Sequence, residues 1–288
     1  MGRLGAIVYC GRREKTQMRQ IVTGFIFINF FMRSALAALI FMLLATSVVL
    51  PAKVLPGESE DELVQQGTVC DKKLDAQQAL TFYLPAERLD PRNPLILVPI
   101  ARQYRHLMAD ASTKKEKLRL GYIAMDYSRR ACACGPKDAA AQLDLAITLG
   151  KMLPIMSSKE QVTASPQIKE SVDKALALDP NNDTAWHILG RWNRVLAEVN
   201  KVKRAFADML YGRLPTGSLP DAEHAMRKAI ELNPNRLMHY IELGRIYADM
   251  GRKDDARLYI NKGLAMPDVE KDDPEMKQRG RETLEKLH

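Results

Sequence analysis

Four prolines set a phase that the rest of the chain follows. Five positions before Pro91, Pro136, Pro180 and Pro234 stand Ala86, Ala131, Ala175 and Ala229. Twelve before stand Ala79, Ala124, Ile168 and Ala222. Six after come Leu97, Gln142, Trp186 and Tyr240, and nine after come Ile100, Leu145, Leu189 and Leu243. Ten after come Ala101, Ala146, Gly190 and Gly244. Rows of small residues beside apolar rows at helical spacing are what closely packed helix pairs need. A bare Gly or Ala lets a neighbouring backbone approach, and a large residue fills the space opposite. Glycine inside a helix costs about 1 kcal/mol against alanine, so Gly190 and Gly244 require a packing gain that offsets it. Each proline ends one pair, because it pushes the preceding residue out of the helical region. Asp183 and Thr184 then offer side-chain oxygens to the free N–H groups of the next helix.

The pattern resembles the tetratricopeptide repeat, a helix–turn–helix unit of about 34 residues with small residues at fixed places. Its last copy is the most regular, with Tyr240, Leu243, Gly244, Tyr247, Ala256, Ile260 and Gly263, although Pro267 falls one position early. The prolines are 45, 44 and 54 residues apart. The matches keep phase on both sides, so the surplus lies between the two helices of each unit, as longer helices or longer loops. The pattern predicts helices near 73–88, 95–109, 115–133, 138–152, 166–178, 183–199, 200–212, 219–232, 236–250, 253–264 and 273–287. It makes the fold class all-α: a tetratricopeptide-like solenoid of about four helix pairs. The final helix is polar-faced and closes the stack.

The largest surplus lies in "RVLAEVNKVKRAFADMLYGRLPTGSLPDAEHAM". Val195, Leu196, Val199, Val202, Phe206, Met209 and Leu210 form an amphipathic stripe, expected to pack against its own repeat, with a partner helix or a membrane surface as the alternative. Asn200 marks a bend or nothing, and "RLPTGSLPD" is a turn-rich link. This insertion sits between "LDPNNDTAWHILGRW" and "DAEHAMRKAIELNPNRLMHYIELGRIYADMGRKDDARLYI". In that order, with "STKKEKLRLGYIAMDYSRRACACGPKDAAAQLDLAITLG" upstream, the elements resemble the regulator of microtubule dynamics family, over residues 75–288. The resemblance implies a helical interaction module associated with microtubules or organelle surfaces.

The amino terminus is of another character. Residues 21–50 are almost wholly apolar, broken by Asn29, Arg33 and small polar residues. Two readings stand for residues 1–52: a membrane anchor, or a secretory signal starting at Met32 and ending at Ala52. Basic residues before the segment and acids after it place the body across the membrane. Residues 53–72 read as a polar linker, and 73–288 as the helical domain. A secretory leader predicts a bacterial envelope protein, periplasmic or anchored in the inner membrane. The alternative is a membrane-tethered eukaryotic protein facing the cytosol.

The formal charge of +8 is largely local, since residues 1–52 hold six Lys/Arg and one acid. The remaining 37 basic and 34 acidic residues nearly balance, so nucleic acid is not expected as a partner. Four cysteines are too few for a disulfide framework. Cys70 could pair with Cys132 or Cys134 in an oxidising compartment; otherwise these thiols are inert packing groups. No phosphate loop, H-E-x-x-H, G-x-S-x-G or C-x-x-C is present, and the histidines are scattered. No enzyme, metal or cofactor is therefore expected. His187 reads as structural, and the "NDT" at 182–184 as a helix cap rather than a glycosylation site. Arg191, Arg194, Lys201, Lys203 and Arg204 gather in one stretch, either a patch for an acidic peptide or lipid head group or a solvated face. Trp186, Leu189, Gly190, Ala222, Ala229, Tyr240, Leu243, Gly244, Tyr247 and Ala256 are the expected packing positions. The chain is thus expected to be a scaffold holding a protein or peptide segment in its groove. Carriage of a lipid or other apolar ligand is the alternative. A groove lined by Leu, Ile, Met and Val favours the carrier, and one lined by Arg, Lys, Asn and Tyr favours the peptide.

Overall fold

The computed structural model describes residues 59–287, and no strand occurs among them. Twelve helices follow one another: α1 (Glu60–Lys72), α2 (Ala76–Leu89), α3 (Pro94–Asp110), α4 (Lys114–Cys134), α5 (Ala139–Met152), α6 (Ser158–Leu178), α7 (Asp183–Ala197), α8 (Lys201–Tyr211), α9 (Leu219–Leu232), α10 (Leu237–Asp249), α11 (Lys253–Leu264) and α12 (Asp273–Glu285). A 3-10 turn, Leu153–Ile155, follows α5. The signal or anchor expected at 1–52 lies outside the described residues. Among the described residues, no helix is long and apolar enough to cross a membrane.

Side-chain caps start the helices from α1 to α9. Ser59, Asp75, Asn93, Thr113, Asp138, Ser157, Asn182, Asn200 and Ser218 each accept a backbone N–H of the first turn, satisfying donors that would otherwise be orphaned. Three expectations need correction here. The polar stretch at 60–72 is a helix rather than a linker: Ser59 and Glu62 form a capping box, and Leu63 and Gly67 are buried. Helix α6 begins at Ser158, well before Pro166, because a second capping box of Ser157 and Glu160 starts it upstream of the proline. The cap of α7 is Asn182, whose Oδ1 accepts from Ala185 N at 3.0 Å; Asp183 is free for other work.

The helices pair as α1/α2, α3/α4, α5/α6, α7/α9 and α10/α11, with α12 laid on α10 and α11. Helices α3, α5, α7 and α10 also touch one another in sequence, whereas α4, α6, α9 and α11 make no comparable contacts among themselves. The first set is therefore the inner, concave layer of the stack. The small-residue rows lie where the layers meet: Ala79, Ala86, Ala124, Ala131, Ala175, Ala222 and Ala229 are wholly inaccessible. A Cβ added at Gly190 would stand 2.9 Å from Met226 Cε and 3.2 Å from the Ala222 carbonyl. At Gly244 it would meet the Ala256 carbonyl at 2.9 Å. Tyr240, Leu243, Tyr247 and Ala256 are buried, while Trp186 and Leu189 are half-buried. The surplus residues have two origins. In the α3/α4 and α5/α6 pairs they lengthen helices, α4 and α6 reaching 21 residues each. In the α7/α9 pair they form a separate helix, α8.

Candidate functional site

The inner face between α7 and α10 carries most of the buried charge of this half of the stack. Spacings of three and four residues place Asp183, His187, Arg191, Arg194 and Glu198 along one side of α7. His239, Glu242, Arg245 and Asp249 run along the facing side of α10. At one end, Arg236 Nη1 reaches Asp183 Oδ2 at 2.7 Å and His239 Nε2 lies 2.9 Å from the same oxygen. His187 Nδ1 stands 3.1 Å from His239 Nδ1. At the other end, Arg194 Nε donates to Glu242 Oε1 at 2.7 Å and its Nη1 to Asp249 at 2.9 Å. Arg245 Nη1 donates to Glu242 Oε2 at 2.8 Å. A cleft of about 350 Å³ opens beside Arg194 and Arg245, walled by Thr283, Lys286 and Leu287 of the carboxy-terminal end.

The charges decide how these groups ionise. Burial alone would push the Glu242 carboxyl up, but Arg194, Arg245 and Arg191 reverse this and hold it well below the carboxylate range. Asp183 follows the same logic: burial raises it, and the bonds from His239 and Arg236 more than cancel that. Burial, then the neighbouring His239, pushes His187 well below its ordinary value, so it is neutral at pH 7. Arg191 is the exception in this row. Burial lowers its pKa; Glu242 pulls the other way, and Arg279, Arg245 and Arg194 add repulsion. It is half-buried and, unlike Arg194 and Arg245, has no ion-pair or hydrogen-bond partner among the described residues.

A second polar junction joins α3 to α5. Arg105 Nη2 lies 2.7 Å from Asp144 Oδ1, Ser128 donates to the other carboxylate oxygen at 2.6 Å, and Arg105 Nη1 donates to Thr148 at 2.7 Å. The two junctions share one phase. Arg105 and Arg194 each stand fourteen residues after their proline, and Asp144 and Glu242 each stand eight after the next. The intervening junction has Gly150 and Ile188 at those positions and is apolar. Proline-aligned rows therefore held the signal for the ion pairs, at positions that a search for apolar and small residues passes over. Arg245, Arg279, His239 and Glu242 of the site were missed for that reason.

The five basic residues grouped by the sequence are not brought together. Arg191 and Arg194 face the inner layer. Lys201 and Lys203 are exposed on α8, which touches the outer helix α6. Arg204 is spent on structure, donating to the carbonyls of Leu196, Leu214 and Pro215 at 3.0, 2.9 and 2.8 Å. Cys70, Cys132 and Cys134 are free thiols. Burial pushes Cys132 up to about 11, and its Sγ lies 3.1 Å from the Ala141 carbonyl. Among the described residues, no group of three or more His, Cys, Asp or Glu side chains could hold a metal ion.

Comparison with known proteins places this architecture. The family model described as "Regulator of microtubule dynamics protein 1-3" matches residues 58–288. Regulator of microtubule dynamics protein 1 of Caenorhabditis elegans is 23% identical over 184 residues, covering 64% of this chain and 81% of that protein. The mouse protein of the same name is 26% identical over 191 residues, covering 66% of this chain and 63% of its own length. A thermophilic tetratricopeptide-repeat protein from Thermus thermophilus superposes with a TM-score of 0.56 at 18% identity, covering 78% of this chain and 99% of that one. These relatives overturn the bacterial-envelope expectation, since over the helical domain the curated proteins matched are from animals. The placement was built on the apolar leader alone, and the helical domain gives it no support.

Proposed function

The chain belongs to the regulator of microtubule dynamics protein 1-3 family, and we propose that it works as a non-catalytic scaffold whose α7–α10–α12 face holds an acidic segment of a partner protein. The tetratricopeptide-like stack supports a scaffold role. The observation that carries the choice of ligand is Arg191. Arg191 is half-buried and has no acceptor among the described residues, so a carboxylate supplied by a partner would give it a charge-assisted, bidentate pair. Arg279 and Arg245 beside it favour the same sign of ligand. The ionised residues along the inner faces of α7 and α10 suit a peptide better than an apolar chain, so lipid carriage is the weaker reading. The family's name supports a second, more specific statement: that the acidic partner is the microtubule or a protein bound to it.

The test is a titration of a Glu-rich unstructured peptide, followed by fluorescence anisotropy, into the whole chain and into Arg191→Glu. The wild type is expected to bind with an affinity that falls as salt rises. The variant should lose tenfold or more, about 1.4 kcal/mol. Equal binding by the two proteins rules the site out. Co-sedimentation with stabilised microtubules tests the narrower statement, which fails if the wild type stays in the supernatant or Arg191→Glu pellets equally.

A further inference from the structure

Helix α8 is amphipathic and is mounted the wrong way round for its own fold. Its apolar residues are not packed against α7 or α9: Val202 is 80% exposed, Phe206 59%, Met209 72% and Leu210 47%. This corrects the expectation that the stripe's second half packs on its own repeat. The side turned to the body is the polar one. Arg204 seals three carbonyls, and Asp208 Oδ1 accepts from Leu214 N at 2.7 Å. At 100° per residue these anchors lie roughly opposite Val202, Phe206 and Met209. Asn200 caps the helix by accepting from Lys203 N at 2.8 Å, so it is a deliberately started element rather than a loop.

Two features say what covers the exposed face. The first is spacing. Val202, Phe206 and Met209 are four and three apart, the seam by which one helix packs on another. In that register Arg204, which is seated on the body, falls on the outermost position, away from a partner. The second is charge. Lys203 flanks the seam, Lys201 opens the helix and Arg213 follows it; none of the three has an ion-pair partner among the described residues, while the only acid of the helix, Asp208, is engaged by the Leu214 amide.

We propose that α8 is a docking helix for an amphipathic helix of a partner protein that carries acidic residues beside its apolar seam. A second copy of this chain fits less well, because its own lysines would meet these. Three turns also fall short of the roughly 1,200 Å² that a stable dimer buries. The same cations suit an anionic bilayer, which the vesicle arm of the test separates from a partner helix. The surface lies by the outer layer and does not depend on the inner-face site.

The probes are two synthetic three-heptad peptides with Leu at the seam, one flanked by Glu and one by Lys, titrated against the full chain. The Glu peptide is expected to bind at about 10–100 μM, as a small interface allows, and the Lys peptide at least tenfold more weakly. Phe206→Glu should abolish binding while shifting the thermal midpoint by no more than about 2 °C, since nothing of α8 is buried. Lys201→Glu with Lys203→Glu should reverse the preference. Arg191→Glu should leave it unchanged, and Phe206→Glu should still bind the unstructured peptide, so the two sites fail separately. Equal affinity for both peptides, or undiminished binding by Phe206→Glu, overturns the proposal. So does dimerisation by sedimentation, or pelleting with phosphatidylserine vesicles, that Phe206→Glu abolishes while the Glu peptide fails to compete.

Discussion

At Gly190 an added side chain has nowhere to go, because its neighbours include the backbone of Ala222 and the backbone nitrogen of Met226 at 3.4 Å. Gly190→Leu is therefore expected to cost about 2 kcal/mol or more, read from chemical denaturation. Gly150 is the control. A Cβ there meets nothing within 4 Å, so Gly150→Ala should stabilise α5 by about 0.5–1 kcal/mol. If both substitutions stabilise the fold, helix propensity rather than packing governs these sites. Glu242 is the other sensitive residue. Glu242→Gln leaves Arg194 and Arg245 with a weakened acceptor, and breaking such a buried pair costs about 3–5 kcal/mol. Acid should do the same. Its folded pKa is depressed, so its contribution is full above the unfolded value of about 4.3 and is lost as pH falls through and below it. The histidines act earlier. Burial, with Lys151 nearby, lowers His106 to about 4, while an unfolded histidine protonates near 6.5. Stability should already decline between about pH 6.5 and 4, and His106→Leu should flatten that part of the thermal-midpoint profile. An unchanged slope removes His106 as the cause. Of these residues the sequence disclosed Gly190, by its place in a row of small side chains. It did not disclose Glu242, because a glutamate on a helix reads as solvated unless its row is followed to the next proline.

Elements were legible wherever an apolar stripe runs for three turns. Helix α1 was not, because it buries only Leu63 and Gly67, and Gly67 serves as a seat for the Tyr83 ring. Two buried residues in a helix of 13 leave too thin a period to see. The start of α6 was hidden by a different competition: a capping box of ordinary polar residues outweighed the proline that followed. Helix α8 was legible as a helix and not in its orientation, since periodicity says that a face is apolar but not which way it points. That orientation makes α8 dispensable for folding. Replacing residues 199–213 by a short Gly/Ser link should move the thermal midpoint by only a few degrees, because no residue of the helix is buried. A loss above about 10 °C, equivalent to several kcal/mol, would mean that α8 supports the α7/α9 pair.

Across the whole helical unit, the repeat predicts which neighbours touch but not how far the stack curls. Its curvature brings the segment before α12 back to the early helices. Lys151 of α5 pairs with Asp272 at 2.5 Å, and Lys271 with Asp110 of α3 at 2.8 Å, contacts between parts of the chain more than a hundred residues apart. Arg236 holds Glu270 of the same segment at 2.5 Å, and the buried Asp273 carboxylate accepts the Val269 and Glu270 amides. An open solenoid unfolds as a chain of nearest neighbours, and its ends can fray independently. A stack whose last element is tied to its second and third pairs loses that freedom, so this protein should melt in a single calorimetric transition. The exposed Lys271–Asp110 pair is worth at most about 1 kcal/mol, yet together with the half-buried Lys151–Asp272 pair it couples the last segment to α3 and α5. Asp272→Asn combined with Lys271→Ala should lower the midpoint only slightly while splitting or broadening the transition, the carboxy-terminal helices exchanging amide hydrogens first. A transition that stays single and equally sharp would place the cooperativity in the α5/α7 and α7/α10 junctions instead, and the tie would be an incidental surface contact.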